Sequence, residues 1–385
     1  MPTREIHPGW GKPPWKIDFT PPARALPREA DFAVVGGGFA GLAAAAWLRR
    51  LAPRKSVVVL EAGRIGAGAS GRTGGIALAE TAAGDAPGLG DVLQGFQEIL
   101  HDLRVECELS LPGAWEIGRS NALANSKIDW QDSGRLQVVK EIPGGTLDPG
   151  KLVSGLARAA TRAGAVILEN CSVPAVEWGR QPLLHVTRSG KSRATKLRAG
   201  KVLFATNALA LELTGLIEGM HPRLTLAALT EPLSEDQLQA TGLAERKPFY
   251  TVDMPYLWGR VMRDRSVIWG AGLITAPDER DLHAARVNSA ESSGKFELLE
   301  QRVRALHPAL AGVRFRRRWG GPILFRESWK PVFDFHPAVA AKWRNAIVLG
   351  AFAGHGVALS SYLAKWAADT LIKKRELPSW GRLAP

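Results

Sequence analysis

Cysteine is almost missing from this chain of 385 residues: there are two, Cys107 and Cys171. Two thiols cannot build a disulfide framework and fit no zinc spacing, so they are expected as ordinary thiols of a reducing compartment, with no metal site. Apolar runs of the roughly 20 residues that span a bilayer are also lacking, so no membrane helix is expected. The first thirty residues hold no apolar signal core, which makes a cytoplasmic location the expectation. Acid is in deficit, with 37 Asp and Glu against 50 Lys and Arg and a formal charge of +13. That balance would suit nucleic acid, but the bases are mostly scattered arginines. The dense run is Arg314, Arg316, Arg317 and Arg318, interrupted by Phe315. A solvated basic surface favouring anionic substrates is the better reading. Hydrophobic residues at 45% and charged ones at 23% match globular averages and exclude a disordered or collagenous chain.

What is present is ordered around glycine. Residues 1–30 form an arm rich in proline and tryptophan (Pro8, Trp10, Pro13, Pro14, Trp15, Pro21, Pro22), which proline keeps extended. Trp10 and Trp15 are expected to pin it to the body or to a second subunit. Residues 32–35 are a short apolar strand. Gly36-Gly37-Gly38-Phe39-Ala40-Gly41 then opens an Ala- and Leu-rich helix to Leu51, and residues 56–60 form a second strand ending at Glu61. Asp148 and Pro149 start a later helix, with Asp as cap and Pro in the first turn. Strands follow at 165–168 and 201–205, the latter closing on Thr206 and Asn207. A last strand at 347–349 leads through Gly350, Gly354 and Gly356 into a helix from about Val357 to Lys373.

These strand–glycine–helix pieces predict an α/β, Rossmann-like nucleotide-binding domain that is discontinuous, covering 31–84, 146–210 and 328–385. Segments 85–145 and 211–327 carry alternating strand-like runs and most of the tryptophans. They predict an inserted substrate domain of α+β type built on an antiparallel sheet.

The strongest local signal is Gly36-x-Gly38-x-x-Gly41. The first glycine permits the tight turn, the second lets a pyrophosphate approach the backbone, and the third lets helix and strand pack closely. The helix N-terminus that follows favours phosphate charge. Glu61, twenty residues past Gly41, can accept both hydroxyls of a ribose. The next loop, Gly66 to Gly75, is long and made of small residues. Its amides and the hydroxyls of Ser70 and Thr73 could line an extended cofactor, with Arg72 balancing pyrophosphate charge.

The run from Asp31 to Gly75 resembles the D-amino-acid oxidase superfamily of FAD-dependent oxidoreductases, in the branch with glycine oxidase, sarcosine oxidase and γ-glutamylputrescine oxidase. Gly68-Ala69-Ser70-Gly71-Arg72-Thr73-Gly74-Gly75 is similar to that branch's glycine loop, with Thr73 where Asn is usual. Further similarities are Leu147 to Leu152, the segment 169–177 whose backbone near Val173 would meet the adenine, Ala205-Thr206-Asn207-Ala208, Trp319-Gly320-Gly321, and Gly354-His355-Gly356-Val357-Ala358-Leu359. The resemblance implies non-covalent FAD, since the branch's cysteine anchor far down the chain has no counterpart here. It also implies cofactor contacts from Phe39, Ala40, Ala62, Arg64, Trp319 and Gly321, besides the motif residues already named. The Gly354–Ala358 turn would set helix amides against the flavin's pyrimidine edge, and His355 could add positive charge or a hydrogen bond there.

One departure bears on substrate. Glycine-oxidase-like members carry an arginine that clamps the substrate carboxylate where this chain has Ile323. The prediction is that simple α-amino acids are poor substrates and that amines, polyamine conjugates or N-substituted compounds fit better; Arg326 or Arg260 could supply a replacement. Tyr256 and Trp258 alternate around Leu257 and could offer one aromatic face to an ammonium group. Trp329 and Lys330 are weaker candidates. The expected reaction is oxidation of a C–N bond by hydride transfer to flavin N5 and hydrolysis of the imine, with electrons passing to O2, giving hydrogen peroxide, or to another acceptor. An α-amino-acid oxidase of glycine-oxidase type, a flavin-binding subunit docking a protein or RNA partner, and an NAD-linked dehydrogenase remain the alternatives.

Overall fold

The structure is a computed structural model and describes residues 8–81, 84, 86–189, 194–339 and 342–383; the first seven residues of the expected arm lie outside these. Chain order begins β1 (Glu29–Val35), α1 (Phe39–Leu51), β2 (Val57–Leu60), β3 (Ile76–Leu78), α2 (Val92–Leu103) and β4 (Ala114–Gly118). It continues β5 (Asp129–Gln131), β6 (Arg135–Ile142), β7 (Gly144–Thr146), α3 (Pro149–Arg162), β8 (Val166–Leu168), β9 (Cys171–Glu177), β10 (Leu183–Arg188) and β11 (Thr195–Phe204). Next come α4 (Leu211–Thr214), β12 (Met220–Thr230), α5 (Glu235–Ala240), β13 (Phe249–Thr251), β14 (Trp258–Val261) and β15 (Val267–Thr275). The chain closes with α6 (Glu279–Ala284), α7 (Ala290–Leu306), β16 (Phe315–Arg326), β17 (Val332–Phe335), β18 (Ala346–Gly350) and α8 (Gly356–Leu371).

The first sheet runs β17-β18-β11-β1-β2-β8, extended by β10 on β11 and β9 on β10. Its centre is parallel, β18 with β11, β11 with β1, β1 with β2 and β2 with β8. A parallel strand is covered on both faces and reads as a continuous apolar run. In β1, Phe32 and Val34 enter the core under α1, α3 and α8, whereas Ala33 and Val35 enter the core on the opposite face. The alanines of α1 (Ala43 to Ala46) are fully buried, and their small size lets α1 lie close between α3 and α8. Asp148 caps α3 as expected, accepting from the Lys151 amide at 2.9 Å.

The second sheet runs β16-β12-β15-β14-β13-β4-β6-β5 and is antiparallel except for the β13–β4 pair. One face carries Trp130, Phe249 and Trp269, whose ring centroids lie 5.1–5.5 Å apart, and shares a core with Phe296, Leu299 and Val303 of α7. The other face turns toward the first domain. A ribbon of β3 and β7 joins the two halves.

Two expectations change. The segment 85–145 does not belong wholly with the second sheet, because α2 buries Val92, Phe96, Ile99 and Leu103 in the core shared with α1 and α8. Its 3–4-residue spacing is helical, and Asp91 caps it through the Gln94 amide. The strand-like 211–327 also contains four helices, of which α7 places Phe296, Leu299, Val303 and Leu306 on one buried stripe.

The arm binds the body. Trp10 is fully buried, with its indole N–H donating to Leu282 O at 3.2 Å. Gly11 bridges to Trp319, the Asp18 amide donates to Ser154 Oγ, and Asp18 pairs with Arg158 at 3.0 Å. Trp10→Ala should lower unfolding free energy by about 3–5 kcal/mol, read as a lower thermal midpoint; an unchanged midpoint would remove the arm from the core.

Candidate active site

The site assembles where β1 and β2 end. Gly36 has φ +110, and a Cβ there would stand 2.6 Å from Ala205 O, while one at Gly41 would stand 1.9 Å from Gly36 O. Both glycines are therefore required by backbone approach. Glu61 takes the Gly37 amide on one carboxylate oxygen at 2.7 Å and the Gly63 amide on the other at 2.8 Å. Burial raises its carboxyl above the ordinary range, the two amides pull it back, and Glu169 adds to the rise. Gly38 caps α1 without a side-chain bond, and Ser70 Oγ accepts from the Phe39 amide at 2.9 Å. Gly38 and the glycine loop are thus tied together at the helix start, the expected seat of a pyrophosphate. Ala62 and Arg64 lie exposed at the rim. Val173 follows Asn170 and Cys171, whose amides donate to Gly63 O and Glu61 O.

At the end of β11, Thr206 Oγ1 and Asn207 Oδ1 are buried without a hydrogen-bond partner, and the Thr206 amide nitrogen packs against Gly36. An orphaned buried polar atom costs about 1–3 kcal/mol unless a ligand meets it. Two such atoms beside a glycine turn fit a bound dinucleotide. The residues present therefore fit FAD, with Gly36, Gly38, Gly41, Glu61, Ser70, Thr206 and Asn207 as its holders.

The loop 66–75 reveals a different role for Arg72. Its guanidinium donates to Ala67 O, to Trp10 O at 3.1 Å, to Gly11 O at 2.8 Å and to Gly320 O at 3.3 Å. It also lies 5.6 Å from the Trp10 ring centroid. Arg72 binds loop, arm and β16 together. Trp319, fully buried, donates its indole N–H to Arg72 O at 2.9 Å, so it supports the loop from behind, and Gly321 packs beside the Arg72 side chain. Farther along, Arg260 donates one nitrogen to Gly74 O, Gly75 O and Leu147 O and lies 5.5 Å from the Trp15 ring. Burial pulls its guanidinium down to about 10, leaving it charged at neutral pH. One terminal nitrogen meets all three carbonyls, and the Nε is buried without a hydrogen-bond partner. Thr73 Oγ1 accepts weakly from the Gly75 amide at 3.4 Å, and Gly68 and Ala69 lead into the short turn of the loop.

The C-terminal motif forms the opposite wall. Gly354 has φ +87, His355 caps α8, and Val357 and Ala358 are buried in its first turn. Gly356 rests on the Phe352 side chain. Burial lowers the His355 imidazole to about 4, so it is neutral at pH 7 and of its two expected roles only the hydrogen bond stays open to it. Ile323 Cδ1 stands 3.1 Å from the position a Gly354 Cβ would take, which puts an apolar side chain against this turn. Arg326 is absent from the site: it donates to Arg382 O at 2.9 Å and to Trp380 O at 3.1 Å, because it sits three residues past Ile323 and a strand alternates faces.

Trp258 lies against the loop. A Cβ at Gly74 would approach its ring to 2.3 Å and one at Gly270 to 2.0 Å. Tyr256, 42% exposed, precedes β14 and faces Tyr250 at 6.4 Å between ring centroids. Trp329 is half exposed and edge-on to Phe325. Sequence reasoning missed Tyr250 and Glu116. A lone acid inside the apolar run Ala114-Trp115-Glu116-Ile117 was the available signal, since alternation points it away from the core. Three arginines of the basic run pair with acids, Arg314 with Glu231 at 2.6 Å, Arg316 with Asp264 at 2.6 Å and Arg318 with Glu300 at 2.7 Å, and Arg317 donates to Pro13 O at 3.4 Å. Among the described residues no group of His, Cys, Asp or Glu could hold a metal ion, and no helix is long and apolar enough to cross a membrane. Both cysteines are buried and free, and burial pushes the Cys107 thiol up to about 12.

The profile of a family described as FAD-dependent oxidoreductases (DAO) matches residues 31–370. The chain is 26% identical over 384 residues to gamma-glutamylputrescine oxidoreductase of Escherichia coli, covering 89% of this chain and 83% of that protein. It is 24% identical over 338 residues to the sarcosine oxidase beta subunit of Rhizobium meliloti, covering 80% and 77%. The crystal structure of glycine oxidase from Geobacillus kaustophilus superposes with a TM-score of 0.69 at 18% identity, covering 91% of this chain and 96% of that one.

Gly41→Ala should abolish FAD retention, read as loss of the flavin absorption bands from purified protein that still has its folded circular-dichroism spectrum. His355 resists protonation from its ordinary value of 6.5 down to about 4, so it withdraws stability as pH falls through that window. The wild type should therefore lose more thermal stability between those pH values than His355→Gln; parallel losses would contradict this.

Proposed function

The chain belongs to the family of FAD-dependent oxidoreductases of D-amino-acid-oxidase type, and on that premise we propose that it oxidises a carbon–nitrogen bond of an amine, a polyamine conjugate or an N-substituted amino compound. The observation that carries this reading is the wall opposite loop 72–75. Ile323 is apolar, Arg326 is turned away, and Arg260 is engaged with three carbonyls. A carboxylate placed there would be desolvated without a bidentate partner, at a cost of several kcal/mol. An amine faces Trp258, Tyr250 and Tyr256 instead, surfaces that attract a cation in the encounter and pack an alkyl chain afterwards. The relatives named for gamma-glutamylputrescine and sarcosine are consistent with such substrates.

FAD, when bound, supplies the two-electron acceptor and passes the electrons to O2 or to another acceptor. The chain would hold the ribose through Glu61 and the pyrophosphate at the start of α1, and Arg72 and Trp319 tie the loop to β16. Trp258 closes the space over Gly74 and restricts water beside the reacting carbon. His355, at about 4, is far too weak a base to take a proton near pH 7. The substrate accordingly reacts in its unprotonated amine form, losing two electrons and two protons to give an imine, which water cleaves to a carbonyl and an amine or ammonia.

Anaerobic bleaching of the flavin with a panel of amines is the direct test. Alkyl amines or amine conjugates should reduce it at rates rising with pH toward the amine pKa, and glycine or D-alanine should be slower by about two orders of magnitude, a difference of about 2.7 kcal/mol. Efficient bleaching by glycine would restore the amino-acid oxidase alternative.

A further inference from the structure

The register of the second sheet sets seven residues side by side across it. Lys140 opposes Glu116, Glu116 opposes Tyr250, Tyr250 opposes Trp258, Trp258 opposes Gly270, Gly270 opposes Ala227 and Ala227 opposes Trp319. Directly paired residues share a face. Trp258 and Trp319 fix which face this is, one lying on Gly74 and the other bonded to Arg72 O. Their neighbours Trp115, Ile117, Phe249 and Trp269 go to the other side, into the core shared with α7. Tyr250 and Glu116 therefore stand on the same wall as Trp258, one and two strands farther from the glycine loop respectively.

The Tyr250 hydroxyl donates to Glu116 Oε1 at 2.6 Å, and the Tyr256 ring completes the group. Both Glu116 and Tyr250 are half-buried. Burial and the adjacent Glu116 carboxylate raise the Tyr250 phenol, which keeps it a donor. Lys140, the nearest cation on the row, gives its ammonium to both oxygens of Glu80 at 2.7 and 2.8 Å. Glu116 has no ion-pair partner among the described residues, so the three charged groups carry one net negative charge. A single oriented carboxylate flanked by two phenol rings is a cation receptor.

We propose that Glu116 and Tyr250 form a subsite that binds a second protonated nitrogen of the substrate, at a distance from the carbon oxidised beside Trp258. Two strand spacings separate Glu116 from Trp258, roughly 10 Å, so the carboxylate is too remote to act on the reacting carbon. A cation reaching it must be carried on a chain of several methylene groups. The subsite selects diamines over monoamines, and it rests on the amine reading above.

Binding to the dithionite-reduced holoenzyme tests this without turnover. Calorimetric titration with hexane-1,6-diamine and hexylamine should show the diamine bound about tenfold more tightly, equivalent to about 1.4 kcal/mol. Glu116→Gln should reduce that preference below about threefold. Tyr250→Phe, which unhooks the carboxylate but keeps its charge, should narrow it as well and serves if the first variant fails to retain FAD. Equal preference in the wild type and in either folded variant, or no preference in the wild type, overturns the subsite. Failure of both amines to bind the reduced protein and to bleach the oxidised one overturns the amine reading instead.

Discussion

A loop of small residues cannot cover its own backbone, and the carbonyls between Ala67 and Gly75 must find donors inside the molecule. Two arginines provide them. Arg72 gathers carbonyls of the loop, the arm and β16, and Arg260 gathers Gly74, Gly75 and Leu147. Each guanidinium is placed over an arm tryptophan, Arg72 over Trp10 and Arg260 over Trp15, at 5.6 and 5.5 Å. Backbone carbonyls and aromatic faces thus hold two charges close to the glycine loop and tie it to the arm and to β16.

The same constraint explains the arm. After a short 3-10 turn at Pro8–Trp10, proline keeps the arm extended, so the chain can cross both halves of the molecule while anchoring at separated points: Trp10 beneath α6, Ile17 on Gly66 and Gly71, and Asp18 on α3. The second sheet completes the enclosure by dividing its two faces. Alternation sends the large aromatics Trp130, Phe249 and Trp269 into packing and leaves the other face for Trp258, Tyr250 and Glu116. Chemistry is then confined to a wall whose spacing is set by strand geometry, and Gly270 is glycine because the Trp258 indole occupies the space above it.

Much of this was written locally. The strand–glycine–helix units at 31–80, 148–168 and 346–371 are legible because each combines period, cap and breaker within a short span, and Gly36, Gly38, Gly41 and Glu61 carry their role in their spacing. The helices α2 and α7 were harder, since their amphipathic stripes interrupt segments otherwise read as strands. The partners of Arg72 and Arg326 were not legible for a common reason. A long side chain reaches several ångströms in directions that neighbouring residues do not fix, and its partners, Trp10, Gly320, Trp380 and Arg382, come from far along the chain.

The sequence alone settled the existence of a dinucleotide-binding core, because close backbone approach demands glycine at particular steps and no other residue answers. It also put an apolar side chain, Ile323, where the family resemblance expects a carboxylate clamp. Tertiary structure alone decided what the remaining charges do. Whether an arginine faces a phosphate, a carbonyl or the solvent, and whether a glutamate in an apolar strand meets a core or a substrate wall, depends on register between strands distant in sequence. Register is a property of pairing, and pairing forms only when the whole sheet closes.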